Sequence, residues 1–225
     1  MKNRILIIVA HPDDEALGCS GTIAKHTNAN DQVDIIYMSN GVSSRGDINI
    51  KSASNLRVQA ALKSCEILKT NKPVFLDFPD NKMDSIPLLD IVQKLEEHVS
   101  KINPNIVYTH HAYDLNIDHR ITHQAVLTAC RPQPNFSVKE IYSFEVLSST
   151  EWASSSIQKA FVPSKFVDIS KTFKQKMTSL NCYSDEMREF PHSRSIDSLT
   201  ALSILRGSSV GVSYAEAFQV ERIIS

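Results

Sequence analysis

The sequence predicts an α/β protein: a mostly parallel, Rossmann-like sheet with helices on both faces, in three α/β/α layers. Three observations predict it. Short β-branched runs of strand length alternate with longer stretches whose apolar residues recur at helical spacing. The residues richest in His, Asp and Asn follow the runs rather than lie within them, as expected where ligands bind beyond the carboxyl ends of parallel strands. A length of 225 residues, with 42% hydrophobic and 22% charged content, suits one domain over residues 1–225 with a sizeable core.

Taken in order, Arg4 to Val9 is an apolar run ended by His11-Pro12 and reads as the first strand. Asp14 to Lys25, with Ala16, Leu17, Ile23 and Ala24 on one side, reads as the helix that follows. Val33 to Met38 is a second strand closing at the turn signal Ser39-Asn40-Gly41, and Ser52 to Leu68 a second helix. Val74 to Phe78 is a short third strand. Ile86 to Ile102 is a helix with Leu88, Leu89, Ile91, Val92, Leu95 and Val99 facing inward, stopped by Pro104. Asn105 to Thr109 is the fourth strand, followed by a polar segment and a helix to about Ala129, which Arg131-Pro132-Gln133-Pro134 ends. Beyond Pro134 the pattern weakens. Glu140 to Phe144 reads as a strand and Ile169 to Tyr183 as a helix; Ala217 to Ile224 fits either. Ser148 to Ser156 is expected to be an exposed loop.

Composition excludes several function classes. With 24 Lys+Arg against 25 Asp+Glu and no run of like charge, there is no electrostatic footprint for nucleic acid or a membrane surface. The N-terminal apolar run is too short for a signal peptide, and no stretch reaches the ~18 apolar residues of a membrane span; a cytoplasmic protein is expected. Cys19, Cys65, Cys130 and Cys182 are far apart and are expected to be buried thiols rather than disulfides or a thiolate zinc site. Six glycines, with no Gly-x-Gly-x-x-Gly after the first strand and no Walker loop, leave little for a phosphate cradle, and no Gly-x-Ser-x-Gly elbow exists for a serine hydrolase.

Two polar segments carry the chemistry. His11-Pro-Asp-Asp-Glu15 sits at the first strand-to-helix junction, and Asp114-Leu-Asn-Ile-Asp-His119 follows the fourth strand. With strand order 3-2-1-4 the two meet in one crevice. A cap alone would explain an acid at a helix start, each carboxylate gaining roughly 0.3–1 kcal/mol there, but it leaves His11 unexplained and crowds like charges. A divalent cation removes the repulsion and uses the imidazole, and a facing ligand completes a two-His-one-carboxylate set that suits Zn2+ and would also accept Fe2+. His123, one turn beyond His119, is a second candidate ligand; its plainer reading is a helix-face residue. Arg57, Arg194 and Arg206 are candidate partners for an anionic substrate group, against the plain reading of solvated arginines.

The pairing of Ala10-His-Pro-Asp-Asp-Glu15 with Asp114-Leu-Asn-Ile-Asp-His119 resembles the LmbE-like (PIG-L) de-N-acetylase family, zinc-dependent enzymes that remove an acyl group, usually acetyl, from an amino sugar or related amide. The resemblance extends to Tyr183-Ser-Asp-Glu-Met-Arg-Glu-Phe-Pro-His192-Ser-Arg-Ser195 and to Arg206-Gly-Ser-Ser-Val-Gly211. It implies His11, Asp14 and His119 as metal ligands, Asp13 as general base towards a water of lowered pKa, and Asn40, Arg57 and Asp114 as substrate contacts. It also implies an amino-sugar substrate and, as in many similar enzymes, assembly into homo-oligomers. One position departs from the family pattern. The second motif often reads His-x-Asp-His, and here Asn116 stands at the first His; an amide donates to an oxyanion but does not shuttle a proton near neutral pH. The acid role then falls to Asp13 or to His192. The alternative to an enzyme is a non-catalytic Rossmann-like module for a nucleotide or sugar, its acids serving only as caps.

Overall fold

Among the described residues a single mixed sheet of seven strands organises the fold, in the order β3-β2-β1-β4-β5-β7-β6. The structure is a computed structural model that describes residues 2–40, 50–157 and 159–225, with the backbone alone for 50–55. β1 (Arg4–Val9), β2 (Gln32–Tyr37), β3 (Val74–Phe75), β4 (Ile106–His110) and β5 (Glu140–Phe144) are parallel, as alternation with helices dictates. β7 (Ala215–Ile223) runs antiparallel beside β5 and pairs with β6 (Lys165–Asp168) at the edge. The segment compatible with strand or helix is thus a strand, and β6 was not legible because its four residues show no alternation. β1 is buried from Ile5 to Val9, between β2 and β4, so strand order reverses on either side of it.

Alternation along the central strands divides the core in two. Ile5, Ile7 and Val9 face one layer with α1 (Asp14–Gly18), α2 (Ser20–Asn28), α3 (Ile50–Leu68), α6 (Phe173–Leu180) and α7 (Ile196–Ser208). Leu6 and Ile8 face the other, covered by α4 (Leu88–Ile102) and α5 (Ile117–Ala129). On α4 the inward side is Ile91, Val92, Leu95 and Val99, whereas Leu89 is exposed, because the apolar stripe begins after the first turn. No described helix is long and apolar enough to cross a membrane. Cys19, Cys65 and Cys130 are buried thiols as expected; Cys182 is half-exposed, because it lies in the 3-10 turn Asn181–Glu186 at the surface.

The first predicted helix is broken. α1 ends at Gly18 and α2 starts at Ser20, with Cys19 in a non-helical conformation between them. The break frees terminal groups that must be satisfied inside the protein. Lys176 Nζ, from α6, donates to Ala16 O (3.1 Å) and Leu17 O (2.9 Å) at the end of α1. Glu216, from β7, accepts from Gly21 N (2.9 Å), Thr22 N (2.7 Å) and Thr22 Oγ1 (2.6 Å) at the start of α2. The two side chains are buried and joined at 2.7 Å. Gly18 allows close packing here: a Cβ on it would lie 2.2 Å from Phe144 Cδ2.

Candidate active site

The carboxyl ends of β1, β3 and β4 open onto a polar cavity of about 170 Å³. Immediately after β1 the chain turns at Asp13, whose φ of 113° puts a non-glycine residue in the left-handed region, and enters α1. That turn separates the three acids. Glu15 points into the core, where its Oε1 accepts from Tyr183 OH (2.7 Å) and Ser64 Oγ (2.9 Å); burial pushes its pKa up to about 7 against those bonds. Asp13 and Asp14 face the cavity.

Asp14 Oδ2 lies 3.3 Å from His11 Nδ1 and 3.3 Å from His119 Nε2, and takes the backbone N–H of His11 at 2.8 Å. His11, Asp14 and His119 are all buried and present ligand atoms within 4.8 Å of one another. The edges of a tetrahedron with zinc-type bonds of 2.0–2.1 Å are about 3.3 Å, so the measured separations fit. Among the described residues Asp14 Oδ1 is buried without a hydrogen-bond partner, an acceptor that a cation or water would satisfy. Burial opposes charge on each group, but the charges sustain one another. His119, His110 and His11 hold the Asp14 carboxyl well below its usual range. Asp14 and Asp114 push His119 up to about 9, and Asp118, Asp14 and Asp80 raise His11 well above its usual value. A cation held here would displace protons from these imidazoles.

Carboxylates behind the imidazoles orient them, as outer partners do at metal sites. His11 Nε2 meets Asp118 Oδ2 and Asp80 Oδ1, both at 3.1 Å. Asp118 is itself fixed by Asn81 N (2.6 Å) and Met83 N (3.0 Å). His119 Nδ1 lies 3.1 Å from Asp114 Oδ1. Asp114, expected at the substrate, is wholly buried and does not line the cavity: Ser149 Oγ and Asn116 N donate to its Oδ1, and Thr150 Oγ1 to its Oδ2 at 2.6 Å. Ser149 and Thr150 thus belong to a buried turn at the site rather than to an exposed loop, and only the later part of Ser148 to Ser156 is exposed. The pattern of small polar residues looked like solvent exposure because their partner, Asp114, is distant in sequence.

The remaining predicted residues divide clearly. Asn116 lines the cavity, but its Oδ1 caps α5 by accepting from Asp118 N (2.8 Å), and its Nδ2 donates to Asn81 Oδ1 (3.1 Å). Arg57 also lines it, 2.7 Å from Glu186 Oε2 and 3.5 Å from Asp13 Oδ2. Asn40 is half-buried after β2 and is not among the lining residues; its neighbour Gly41 lies outside the described residues. His192 does not line the cavity either: its Nδ1 accepts from Arg194 N (3.0 Å) and its ring meets Trp152 edge-on. His123 lies 3.4 Å from Glu221, apart from the ligand cluster, and Arg206 forms a two-pronged pair with Glu145. Sequence reasoning missed Asp80, Asn81 and Glu186. Pro79-Asp80-Asn81 is a turn at the carboxyl end of β3, so the strand-end argument applied to β1 and β4 would have found two of them.

Comparison with known proteins gives the family. Residues 6–130, more than half of the chain, match the PIG-L family, described as GlcNAc-PI de-N-acetylase. The diacetylchitobiose deacetylase of Thermococcus kodakarensis is 25% identical over 228 residues, covering 96% of this chain and 82% of that one. An uncharacterised deacetylase of Escherichia coli is 28% identical over 174 residues, covering 75% and 83%. The structure of N,N'-diacetylchitobiose deacetylase from Pyrococcus horikoshii, complexed with an inhibitor, shares the fold with a TM-score of 0.79 at 20% identity, covering 97% of this chain and 83% of that one. The crevice that holds His11, Asp14 and His119 is therefore that of a chain belonging to the PIG-L (LmbE-like) de-N-acetylase family.

Proposed function

We propose that this protein is a zinc-dependent N-deacetylase that hydrolyses the linear N-acetyl or N-acyl amide of an amino sugar or related compound, with Fe2+ an acceptable substitute. The convergence of His11, Asp14 and His119, with Asp14 Oδ1 left as an unused buried acceptor, carries the reading. Bound there, the cation supplies Lewis acidity and a water of pKa lowered towards ~7. Asp13, at the cavity wall beside Asp14, takes the proton of the attacking water. Burial raises the pKa of Asp13, while Arg194 and Arg57 oppose the rise and favour its ionised, basic form.

Asn116, tied up as a helix cap, and His192, turned to the Arg194 backbone, are poorly placed to donate a proton. Asp13 therefore returns its proton to the departing nitrogen, so that one amide and one water give acetate and an amine. The small polar cavity, below the roughly 300 Å³ of a typical ligand cleft, suits the acylamino end of a sugar, with the rest of the substrate outside.

The test is release of acetate and free amine from N-acetylglucosaminyl lipids, glycosides, nucleotide sugars and thiol conjugates, with and without Zn2+. Asp13→Asn is expected to keep the metal and lose about 10²–10⁴-fold in turnover, whereas His119→Ala loses the metal. Parental activity in Asp13→Asn would remove the base assignment, and a purified protein that neither contains nor is stabilised by zinc or iron would favour a non-catalytic binding module.

A further inference from the structure

If Asp13 serves as base and then as acid, its carboxylate must stay in place through both transfers. Among the described residues two guanidinium groups approach Asp13, and both meet Oδ2. Arg57 is the looser, at 3.5 Å, and pairs more closely with Glu186 at 2.7 Å. Arg194 Nη1 donates to Asp13 Oδ2 at 2.9 Å, while its Nε donates to Ser148 Oγ at 2.8 Å.

The mount for this contact is built from both sides. Arg194 directly precedes Ser195, whose hydroxyl caps α7 through Ser198 N, and its backbone is tied to Arg188 N and His192 Nδ1. Ser148 holds a left-handed conformation, φ 67°, that presents its hydroxyl. Among the described residues no donor reaches Asp13 Oδ1, and the residue lines the cavity.

We propose that Arg194 is the positioning residue of the proton shuttle: anchored on Ser148, it pins Asp13 Oδ2 and leaves Oδ1 for the water and then for the amine nitrogen. In the first transfer Oδ1 gains the water proton as the water oxygen bonds to the amide carbon. In the second, Oδ1 gives that proton to nitrogen as the C–N bond breaks, and Asp13 ends as it began. The inference rests on the deacetylase reading for its chemistry; the placement of Asp13 is testable without it.

Arg194→Ala is expected to keep the parent's metal content and to lose about 100-fold in kcat, the scale of an angstrom-sized misplacement, with KM changed less than about threefold. Added guanidinium chloride restores at least about tenfold of that loss, which a structural or purely electrostatic role far from Asp13 would not allow. Arg194→Lys keeps the charge but not the fork and is expected to fall between the two; it also serves where Arg194→Ala does not fold. A rise in KM at constant kcat would make Arg194 a substrate contact and overturn the proposal, as would a loss that guanidinium does not repair. If the parent turns over none of the acetylated probes, the deacetylase reading fails, and a crystal structure of Arg194→Ala still decides the positioning: a rotated Asp13 carboxylate supports it, an unmoved one sinks it.

Discussion

Replacing Lys176 by Met should cost about 3–4 kcal/mol of folding stability although the residue lies away from the cavity. The Lys176 side chain is 2% exposed, and its Nζ lies 2.7 Å from Glu216 Oε1. Removing one partner of such a buried pair costs roughly 3–5 kcal/mol, because the other charge is left in a medium that solvates it poorly. Glu216 keeps the three donors of Gly21 and Thr22, which holds the penalty near the low end. Ala16 O keeps Ser20 Oγ at 2.8 Å, but the Leu17 carbonyl loses its Lys176 donor, and one unmade buried bond costs about 1 kcal/mol. For a chain of this length each 1 kcal/mol moves Tm by roughly 2–4 °C, so the midpoint of thermal unfolding should drop by roughly 6–16 °C. Lys176→Met/Glu216→Gln should recover at least about 1 kcal/mol of the loss, since the stranded charge is gone. A single mutant within 1 kcal/mol of the parent would refute the view that this pair holds the α1–α2 break together.

Other consequences are as direct. Asp114→Asn should weaken metal affinity about 10–100-fold in a chelator competition, the usual effect of losing a carboxylate behind a ligating imidazole; unchanged affinity would deny Asp114 its part in orienting His119. Gly18→Ala should cost about 2–3 kcal/mol, because the new methyl would overlap the Phe144 ring, and a neutral result in urea unfolding would show that the ring can yield. Burial holds the His26 imidazole below its ordinary value despite Asp31 at 2.7 Å. Between the folded and the higher unfolded value the unfolded chain binds more protons, so stability rises with pH through that window and falls as acid protonates the folded form. His26→Gln should flatten the slope just below about pH 6.5; an unaltered slope would place its origin elsewhere.

The parallel half of the fold was legible because burial on both faces leaves strands as unbroken apolar runs, and the intervening helices carry a clear period. The cluster around His11 was legible too, since His11 and three acids at a helix start are hard to explain without a counter-charge. Less could be read where a residue's meaning depends on a distant partner. Ser149 and Thr150 resembled loop residues until Asp114 was found beneath them. Glu216 lies on a strand that sequence left undecided, and nothing local says that it caps a helix 194 residues away. Arg194 resembled any surface arginine. Asp114 was expected at the substrate from the family resemblance, yet three hydroxyl and amide donors close it in. The break at Cys19 was hidden because its apolar spacing continues across it and its stabilising groups arrive from β7 and α6.

The antiparallel margin of the sheet also divides labour along the polypeptide. His11, Asp14 and His119 come before residue 130 together with the carboxylates behind them, whereas the groups that fasten Asp114, Asp13 and the α1–α2 break (Ser149, Arg194, Lys176 and Glu216) come after β5. A chain severed between α5 and β5 would part donors from fasteners, and recovered metal uptake on mixing the two fragments would signal that they had found each other.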